Sequence, residues 1–222
     1  MSSKVKDLKS ETQKIQPSQR GVLYVVSSPS GGGKGTLIRR VLDVVTDLSY
    51  SVSYTTRAPR NGEVNGREYF FVDRERFAKM IAADEFLEWA NVHGHLYGTA
   101  RRQVTEETAA GLDIVLEVDV QGAASIRRLG VDAVSIFILP PSLETLRERL
   151  VARGTDSPEE LGVRLRNAPE ELSQYATFDY VIVNDQIDRA AAQLAAIVSA
   201  ERARCSRQEV FVNEVIQKFK TN

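Results

Sequence analysis

The sequence predicts an α/β fold, in which a parallel β-sheet core is flanked by helices and interrupted by an inserted α+β lobe. Four short, continuous apolar runs are typical of strands that are buried on both faces of a sheet. Segments with helical periodicity alternate with these runs, which predicts right-handed crossovers between parallel strands. A glycine-rich turn joins the first apolar run to the first helical segment.

The core elements follow in chain order. Two prolines, Pro140 and Pro141, end the third apolar run and position the next helix. Apolar residues at helical spacing near the C-terminus predict a last helix, which docks either on its own domain or on a second subunit. We expect strands at 22–27, 114–118, 134–139 and 180–183, and helices at 36–45, from 143 to about 175 with a polar break, and at 187–203.

Residues 49–99 show a different pattern, which predicts the inserted lobe. Strand-like pieces at 50–55 and 68–72 are separated by the turn formers Pro59, Asn61-Gly62 and Asn65-Gly66. A helix is expected at about 74–90, with Asp73 as its N-cap.

Composition excludes several function classes. The chain has 222 residues, which suits one domain or a core with a smaller lobe, and its net charge of -1 disfavours a general nucleic-acid binder. One cysteine, Cys205, cannot form an internal disulfide, which favours a reducing cytoplasm. No apolar run approaches the ~20 residues that span a bilayer. The polar leader, 1–20, lacks the apolar core of a signal peptide. We expect His93 and His95 to lie in a surface loop rather than to bind zinc.

The segment from Ser28 to Thr36 carries the sharpest signal, and we call it the phosphate cradle. Glycines between a buried strand and a helix let backbone N–H groups surround phosphate oxygens, and Lys34 neutralises the β- and γ-phosphates. Gly35 stands where a Ser or Thr hydroxyl normally binds Mg²⁺, so we expect the metal to be held by the nucleotide, by water and by Thr36 or a carboxylate. The cradle comprises Ser28, Pro29, Ser30, Gly31, Gly32, Gly33, Lys34, Gly35 and Thr36.

The cradle by itself does not distinguish between kinases, GTPases, motor ATPases and binding modules. Asp119-Val-Gln-Gly122 is similar to the D-x-x-G motif of GTPases, but the chain has no N-K-x-D motif to read guanine. Asn184-Asp185 is the nearest approach to that motif, and it lacks the lysine.

Four further motifs narrow the choice. Together with the cradle, they resemble the guanylate kinase family, which transfers phosphate from ATP to GMP, over about residues 22–200. The motifs are Ser53-Tyr-Thr-Thr-Arg-Ala-Pro-Arg60, Gly62-Glu-Val-Asn-Gly-Arg-Glu-Tyr69, Glu85-Phe-Leu-Glu-Trp-Ala90 and Tyr97-Gly-Thr99. The resemblance implies a core (21–48, 100–145 and 170–205), a GMP-binding lobe (49–99), an arginine-rich lid (146–169) and a C-terminal helical segment (206–222).

The resemblance also implies roles for single residues. Guanidinium forks and tyrosine hydroxyls suit the GMP phosphate dianion. One carboxylate accepts both N1–H and the N2 amino group of guanine, whereas adenine offers it a lone pair, a mismatch worth roughly 10⁴-fold. The implied GMP-binding residues are Arg57, Arg60, Tyr69 and Tyr97 at the phosphate and Ser53, Glu88 and Thr99 at guanine. Asp119 is implied beside GMP and the waters of the metal, and Asn184 on the adenine side of ATP. The implied catalytic residues are Lys34, Arg57, Asp119, Arg149, Arg153 and Arg164.

The expected activity is therefore ATP- and Mg²⁺-dependent phosphorylation of GMP, and of dGMP. Three alternatives stay open. The first is another nucleoside monophosphate kinase, because Gly35-Thr36 resembles the cradle of adenylate kinase. The second is a guanylate-kinase-like module that has no catalytic activity and binds a protein partner. The third is a GTPase, which would lack the motif that reads guanine. We expect neither a nucleic-acid nor a membrane partner, and a homo-oligomer is left open.

Overall fold

The computed structural model describes residues 20–92, 94–154 and 157–221. The predicted leader, apart from Arg20, and His93 therefore lie outside the described residues. Within the described ranges, no helix is both long and apolar enough to cross a membrane. The elements in chain order are β1 (Leu23–Ser27), α1 (Lys34–Leu42), β2 (Leu48–Tyr50), β3 (Tyr54–Thr55), β4 (Phe70–Phe71), α2 (Arg74–Ala82), β5 (Phe86–Val92), β6 (His95–Ala100), α3 (Arg101–Ala109), β7 (Asp113–Glu117), α4 (Val120–Arg128), β8 (Val134–Leu139), α5 (Leu143–Arg153), α6 (Pro158–Ser173), β9 (Tyr180–Val183), α7 (Ile187–Arg202) and α8 (Cys205–Lys220).

The predicted parallel core is confirmed. Five strands pair in the order β2-β7-β1-β8-β9, and all four pairings are parallel. Alternate residues of β1 enter different apolar clusters: Tyr24 packs with α1 and α7, whereas Leu23 and Val25 pack with α3 and α4. Helices on both faces explain why the core strands are continuously apolar in sequence.

The second sheet has the order β4-β3-β6-β5, and α2 packs against it through Phe77 and Met80. The helix predicted at 74–90 is wrong in its second half. Helix α2 ends at Ala82, the backbone at Asp84 turns with a φ of 53° in the left-handed region, and the chain continues as β5. Burial of Phe86 and pairing of β5 with β6 outweigh the helical propensity of this segment.

Other boundaries also differ from the expectations. The strand predicted at 50–55 is two strands in different sheets, because β2 pairs with β7 and β3 pairs with β6. Helix α1 begins at Lys34 and ends at Leu42, rather than covering 36–45. Helix α8 follows α7 directly, and Gln208 Nε2 donates to the Arg202 carbonyl at 2.7 Å. No residue of α8 is buried, and Phe219 is 81% exposed.

Asp113 ties the first strand to α7. Its carboxylate is buried and accepts from the Val22 backbone N–H at 2.7 Å and from Arg202 Nε at 2.6 Å. Removal of the Asp113 carboxylate leaves the buried Val22 N–H group and the Arg202 guanidinium without this acceptor. The exposed Arg40–Asp188 pair, at 2.7 Å, has the same chemistry in solvent.

We predict that Asp113→Ala lowers the free energy of unfolding by about 2–4 kcal/mol, whereas Asp188→Ala lowers it by less than about 1 kcal/mol. Urea denaturation of both variants measures the difference. Equal effects would mean that burial of Asp113 adds nothing to its contribution.

Candidate active site

The phosphate cradle lies between the carboxyl end of β1 and the first turn of α1. Gly31 and Gly33 adopt φ values of 88° and 91°, which favour glycine, and Lys34 starts the helix. Lys34 Nζ donates to the Ser28 Oγ at 3.1 Å, so the ammonium group lies back across the turn. The helix N-terminus and this ammonium together form an anion site.

The cradle is packed so closely that its glycines have no room for side chains. A Cβ at Gly31 would lie 2.9 Å from the side chain of Leu150 in α5, and a Cβ at Gly33 would lie 2.5 Å from Asn184 Nδ2. Helix α5 and the residue after β9 therefore pack directly against the cradle.

Asn184 and Arg149 hold the backbone of the cradle. Asn184 is buried, and its Nδ2 donates to the Gly32 carbonyl at 3.0 Å. Arg149 donates to the Asn184 carbonyl at 2.7 Å and to the Gly32 carbonyl at 3.4 Å. These bonds fix the carbonyl groups of Gly32 and Asn184, and with them the backbone of the cradle.

Helix α6 brings a second arginine and a carboxylate to the same turn. Arg164 donates to Ser30 Oγ, and Glu171 accepts from the Ser30 backbone N–H at 3.2 Å. The predicted lid arginines Arg149 and Arg164 thus both contact the cradle. Arg153 is the last residue of α5, and its side chain lies outside the described part of the chain.

Glu88, Thr99 and Asp119 form a second group. Glu88 lies in strand β5 and is 7% exposed, so its placement on a helix was wrong. Thr99 Oγ1 donates to Glu88 Oε1 at 2.6 Å across the β5–β6 pair. Asp119 caps α4 by accepting from the Gly122 N–H at 2.8 Å. A Cβ at Gly122 would lie 2.7 Å from Glu88 Oε2, so glycine lets α4 approach the carboxylate.

Burial, followed by the charge of Asp119, raises the pKa of Glu88 to about 7, although the Thr99 hydrogen bond acts in the opposite direction. Because the protein has already desolvated this carboxylate, N–H donors from a ligand meet little competition from water. The group is therefore suited to recognise a flat ring with adjacent donors.

Arg57, Tyr69 and Tyr97 form a third group on the second sheet. The Arg57 side chain is 10% exposed and lies over the Tyr69 ring, 5.4 Å from its centroid. The Tyr69 and Tyr97 rings meet edge to face at 5.8 Å. A rigid guanidinium beside two phenols suits a phosphate dianion.

Glu63 holds this group, and the sequence interpretation missed it. Its Oε1 accepts from Arg57 Nη2 at 2.8 Å, and its Oε2 accepts from the Arg60 backbone N–H at 2.7 Å. Burial alone would raise the pKa of Glu63, but the hydrogen bond from Arg57 lowers it below its usual value. A glutamate three residues after Arg60, in a turn rich in glycine and proline, was the available signal.

The other predicted residues lie nearby in the fold. Ser53 is buried just before β3, and its carbonyl accepts from the Phe70 N–H at 2.9 Å. Thr36 is exposed on the first turn of α1. In the described ranges, no three His, Cys, Asp or Glu side chains cluster as a metal site. A metal here would therefore need ligands from a bound nucleotide.

Comparisons with known proteins agree on one family. A family model described as guanylate kinase matches residues 20–201. The chain is 48% identical to guanylate kinase of Geobacter sulfurreducens over 197 residues, which are 89% of this chain and 97% of the relative. It is 51% identical to guanylate kinase of Dechloromonas aromatica over 180 residues, which are 81% and 89% of the two chains.

Solved structures agree. The crystal structure of guanylate kinase from Anaplasma phagocytophilum is similar with a TM-score of 0.72 and 36% identity, covering 85% of this chain and 90% of that one. The structure of TT1252 from Thermus thermophilus, with a TM-score of 0.51 and 18% identity over 84% of this chain and 100% of that one, shows a likeness of fold alone.

The raised pKa of Glu88 predicts a pH-dependent stability. The group binds its proton more tightly in the folded state, so its favourable contribution is complete below pH 4.5 and is lost as pH rises through 7. From pH 5 to pH 8, we expect the wild type to lose about 2.5 kcal/mol relative to Glu88→Gln. Urea denaturation of the ligand-free proteins measures this, and a difference independent of pH would refute the raised pKa.

Proposed function

This chain belongs to the guanylate kinase family, and from that membership we propose how its residues share the transfer of phosphate from ATP to GMP. The chain is an enzyme, an ATP-dependent phosphotransferase whose substrates are ATP and GMP.

We assign guanine recognition to Glu88, and its burial without a cationic partner in its described contacts is the observation that carries this assignment. Its carboxylate accepts N1–H and the N2 amino group, and Ser53 and Thr99 face O6 or N7. Adenine in the same position would direct the N1 lone pair at an anion, which is repulsive. The loss of two buried hydrogen bonds weakens the binding of AMP enough to exclude it as an acceptor.

We assign binding of the GMP phosphate to Arg57 and Arg60, together with the hydroxyls of Tyr69 and Tyr97. Glu63 presets the guanidinium of Arg57, which reduces the conformational entropy lost on binding. None of these contacts addresses the ribose 2′ position, so dGMP is also expected to be an acceptor.

The cradle residues 28–36 bind the ATP phosphates, and Asn184 lies on the adenine side of the cradle. Negative charge develops on the transferred phosphoryl group, and the positive charge that stabilises it comes from Lys34, Arg149, Arg153 and Arg164. The contacts of Arg149 with Gly32 and of Arg164 with Ser30 support a lid that closes over the phosphates. A closed lid excludes water, which limits hydrolysis of ATP.

Magnesium is proposed as the metal that accompanies ATP. The residues fit it: Thr36 and Asp119 would offer oxygens, directly or through water, and a carboxylate oxygen of Glu117 lies 3.1 Å from the Cβ position of Gly35, where the usual hydroxyl is missing. When bound, the ion neutralises charge on the β- and γ-phosphates.

The transfer needs no strong general base. An ionised oxygen of the GMP phosphate attacks the γ-phosphorus, the bond from that phosphorus to the β–γ bridging oxygen breaks, and ADP leaves with the electron pair. Asp119 positions the acceptor from the N-terminus of α4, and Arg57 screens the repulsion between the two anions.

We propose a core (21–48, 100–145 and 170–205), a GMP-binding lobe (49–99) and a lid (146–169), and we place the enzyme in the cytoplasm. The two sheets and the pair of helices α5 and α6 support this division.

We predict that Glu88→Gln lowers kcat/KM for GMP by about 100-fold and changes the affinity for ATP by less than threefold. The amide offers one acceptor and a mismatched donor to guanine. Release of ADP with GMP, dGMP, AMP, UMP or CMP as acceptor measures specificity, and ATP titration measures the second site.

Glu85→Gln is the matched control, because that side chain is 43% exposed and lies 3.8 Å from Arg76. It should behave as the wild type. Equal loss of GMP and ATP affinity in Glu88→Gln, or faster turnover with AMP than with GMP in the wild type, would refute the assignment.

A second prediction concerns Glu63. Glu63→Gln should raise the KM for GMP about 10-fold with little change in the KM for ATP, because the Arg57 fork loses a charged acceptor. Glu68→Gln removes a carboxylate bound to the exposed Arg67 in the same loop and should leave both values unchanged. An unchanged KM for GMP in Glu63→Gln would contradict the role given to Glu63.

A further inference from the structure

Tyr50 is a tyrosine of the core sheet whose hydroxyl reaches the edge of the phosphate cradle. It is the last residue of β2, and its hydroxyl donates to Glu117 Oε2 at 3.2 Å. The same carboxylate oxygen lies 3.1 Å from the Cβ position of Gly35, in the first turn of α1. The phenol therefore holds one oxygen of Glu117 against the helix that follows the cradle.

The core sheet fixes the Tyr50 side chain without help from a ligand. Strand β2 pairs with β7 in parallel, and the register places Tyr50 beside Val115. Val115 and Glu117 are two residues apart in one strand, so their side chains point to the same face of the sheet. The Tyr50 ring packs against the apolar cluster that contains Val115, and Gln103 of α3 donates to the Tyr50 carbonyl at 3.4 Å. The ring is thus anchored in the core, and its hydroxyl extends toward the carboxyl end of β7.

A glutamate side chain at the end of a strand has several rotatable bonds, and a cation that binds its carboxylate must first restrict them. A hydrogen bond from a rigid neighbour restricts them in advance, which strengthens the binding of the cation. We propose that Tyr50 is a positioning residue, whose hydroxyl presets the Glu117 carboxylate for the metal that accompanies ATP. This inference rests on the proposed magnesium requirement, and it gives Tyr50 no contact with the metal or the nucleotide.

The chemistry of the donor suits this role. A phenol is neutral, so it orients the carboxylate and leaves its negative charge available to a cation. A lysine or arginine in the same place would orient the carboxylate but cancel that charge. Glu63 shows the opposite arrangement, because it is paired with the guanidinium of Arg57 at 2.8 Å. The acid with a cationic partner thus serves the proposed phosphate site, and the acid with a neutral partner serves the proposed metal site.

Tyr50→Phe tests the inference, because it keeps the ring and removes only the hydroxyl. Mn²⁺ is a paramagnetic substitute for Mg²⁺ at oxygen ligands. In a titration of Mn²⁺ into the enzyme–ADP complex, followed by electron paramagnetic resonance, we expect the affinity for Mn²⁺ to fall about 10-fold. Calorimetry in EDTA should give the same affinity for ADP in the variant and in the wild type, since the hydroxyl does not contact the nucleotide.

Tyr24→Phe is the matched control. Tyr24 is a buried tyrosine of the same apolar cluster, and its hydroxyl donates to the Val198 carbonyl at 3.3 Å rather than to an acid of the site. The same chemical change at Tyr24 should leave the affinity for Mn²⁺ unchanged. A loss of Mn²⁺ affinity in both variants would trace the effect to general loosening of the core and overturn the inference.

A double-variant cycle tests whether Tyr50 acts through Glu117. Glu117→Gln alone should weaken Mn²⁺ binding, and the addition of Tyr50→Phe should then weaken it no further, because the carboxylate that the hydroxyl orients is already absent. If the two substitutions instead multiply their effects, Tyr50 acts independently of Glu117 and the positioning role is wrong.

The remaining outcomes separate this inference from the proposed metal requirement. If the wild type and Tyr50→Phe bind Mn²⁺ equally well, the role of Tyr50 is wrong and the metal requirement stands. If Tyr50→Phe weakens ADP binding in EDTA as much as it weakens Mn²⁺ binding, the hydroxyl supports only the packing of β2, which also overturns the inference. If the enzyme–ADP complex of the wild type does not bind Mn²⁺, the metal requirement itself fails, and the role of Tyr50 fails with it.

Discussion

Parallel pairing of the five core strands is the constraint on which the site depends. Because β1, β7 and β9 run in one direction, their carboxyl ends meet at one edge of the sheet. The chain leaves β1 into the cradle, leaves β7 after Glu117 and reaches Asp119, and leaves β9 at Asn184. Backbone hydrogen bonds, which do not depend on side-chain identity, thus bring together groups that are more than 150 residues apart in sequence, as the Asn184 contact with Gly32 demonstrates.

The site handles its two buried charges in opposite ways. Arg57 is paired with Glu63, so its guanidinium is oriented and already partly desolvated. Glu88 has a hydroxyl partner and an anionic neighbour, Asp119, so its pKa is raised and its charge is costly in the ligand-free protein. Under the proposed assignment of Glu88, guanine N–H donors relieve that cost, whereas a base that lacks them does not. The unfavourable charge of the ligand-free carboxylate would then contribute to selectivity for the base.

Sequence reasoning succeeded where a function depends on neighbouring residues and failed where it depends on contacts. The strand, glycine turn and helix around Lys34 are one continuous signal, and the core strands are marked by unbroken apolar runs. The predicted helix over 74–90 failed because helical residues continue past the turn at Asp84, while pairing with β6 decides the structure of 86–92. Glu63 was not assigned a role because it acts through a partner, Arg57, that only the folded chain identifies.

A net charge of -1 describes the whole chain, but the site depends on how cations and anions are paired. Glu171 accepts from the Ser30 N–H in the cradle, and Glu63 accepts from Arg57 in the lobe. Glu63 uses only part of the Arg57 guanidinium, whose Nη1 donates to the Ala58 carbonyl at 2.7 Å. Under the proposed function, the remaining donors of Arg57 meet the GMP phosphate already oriented, so this internal acid lowers the entropy lost on binding. Glu171 acts on the cradle in a similar way, because its bond to the Ser30 N–H fixes the backbone of the residue whose hydroxyl accepts from Arg164. The acids that cancel the positive charge in the total therefore orient it in the site.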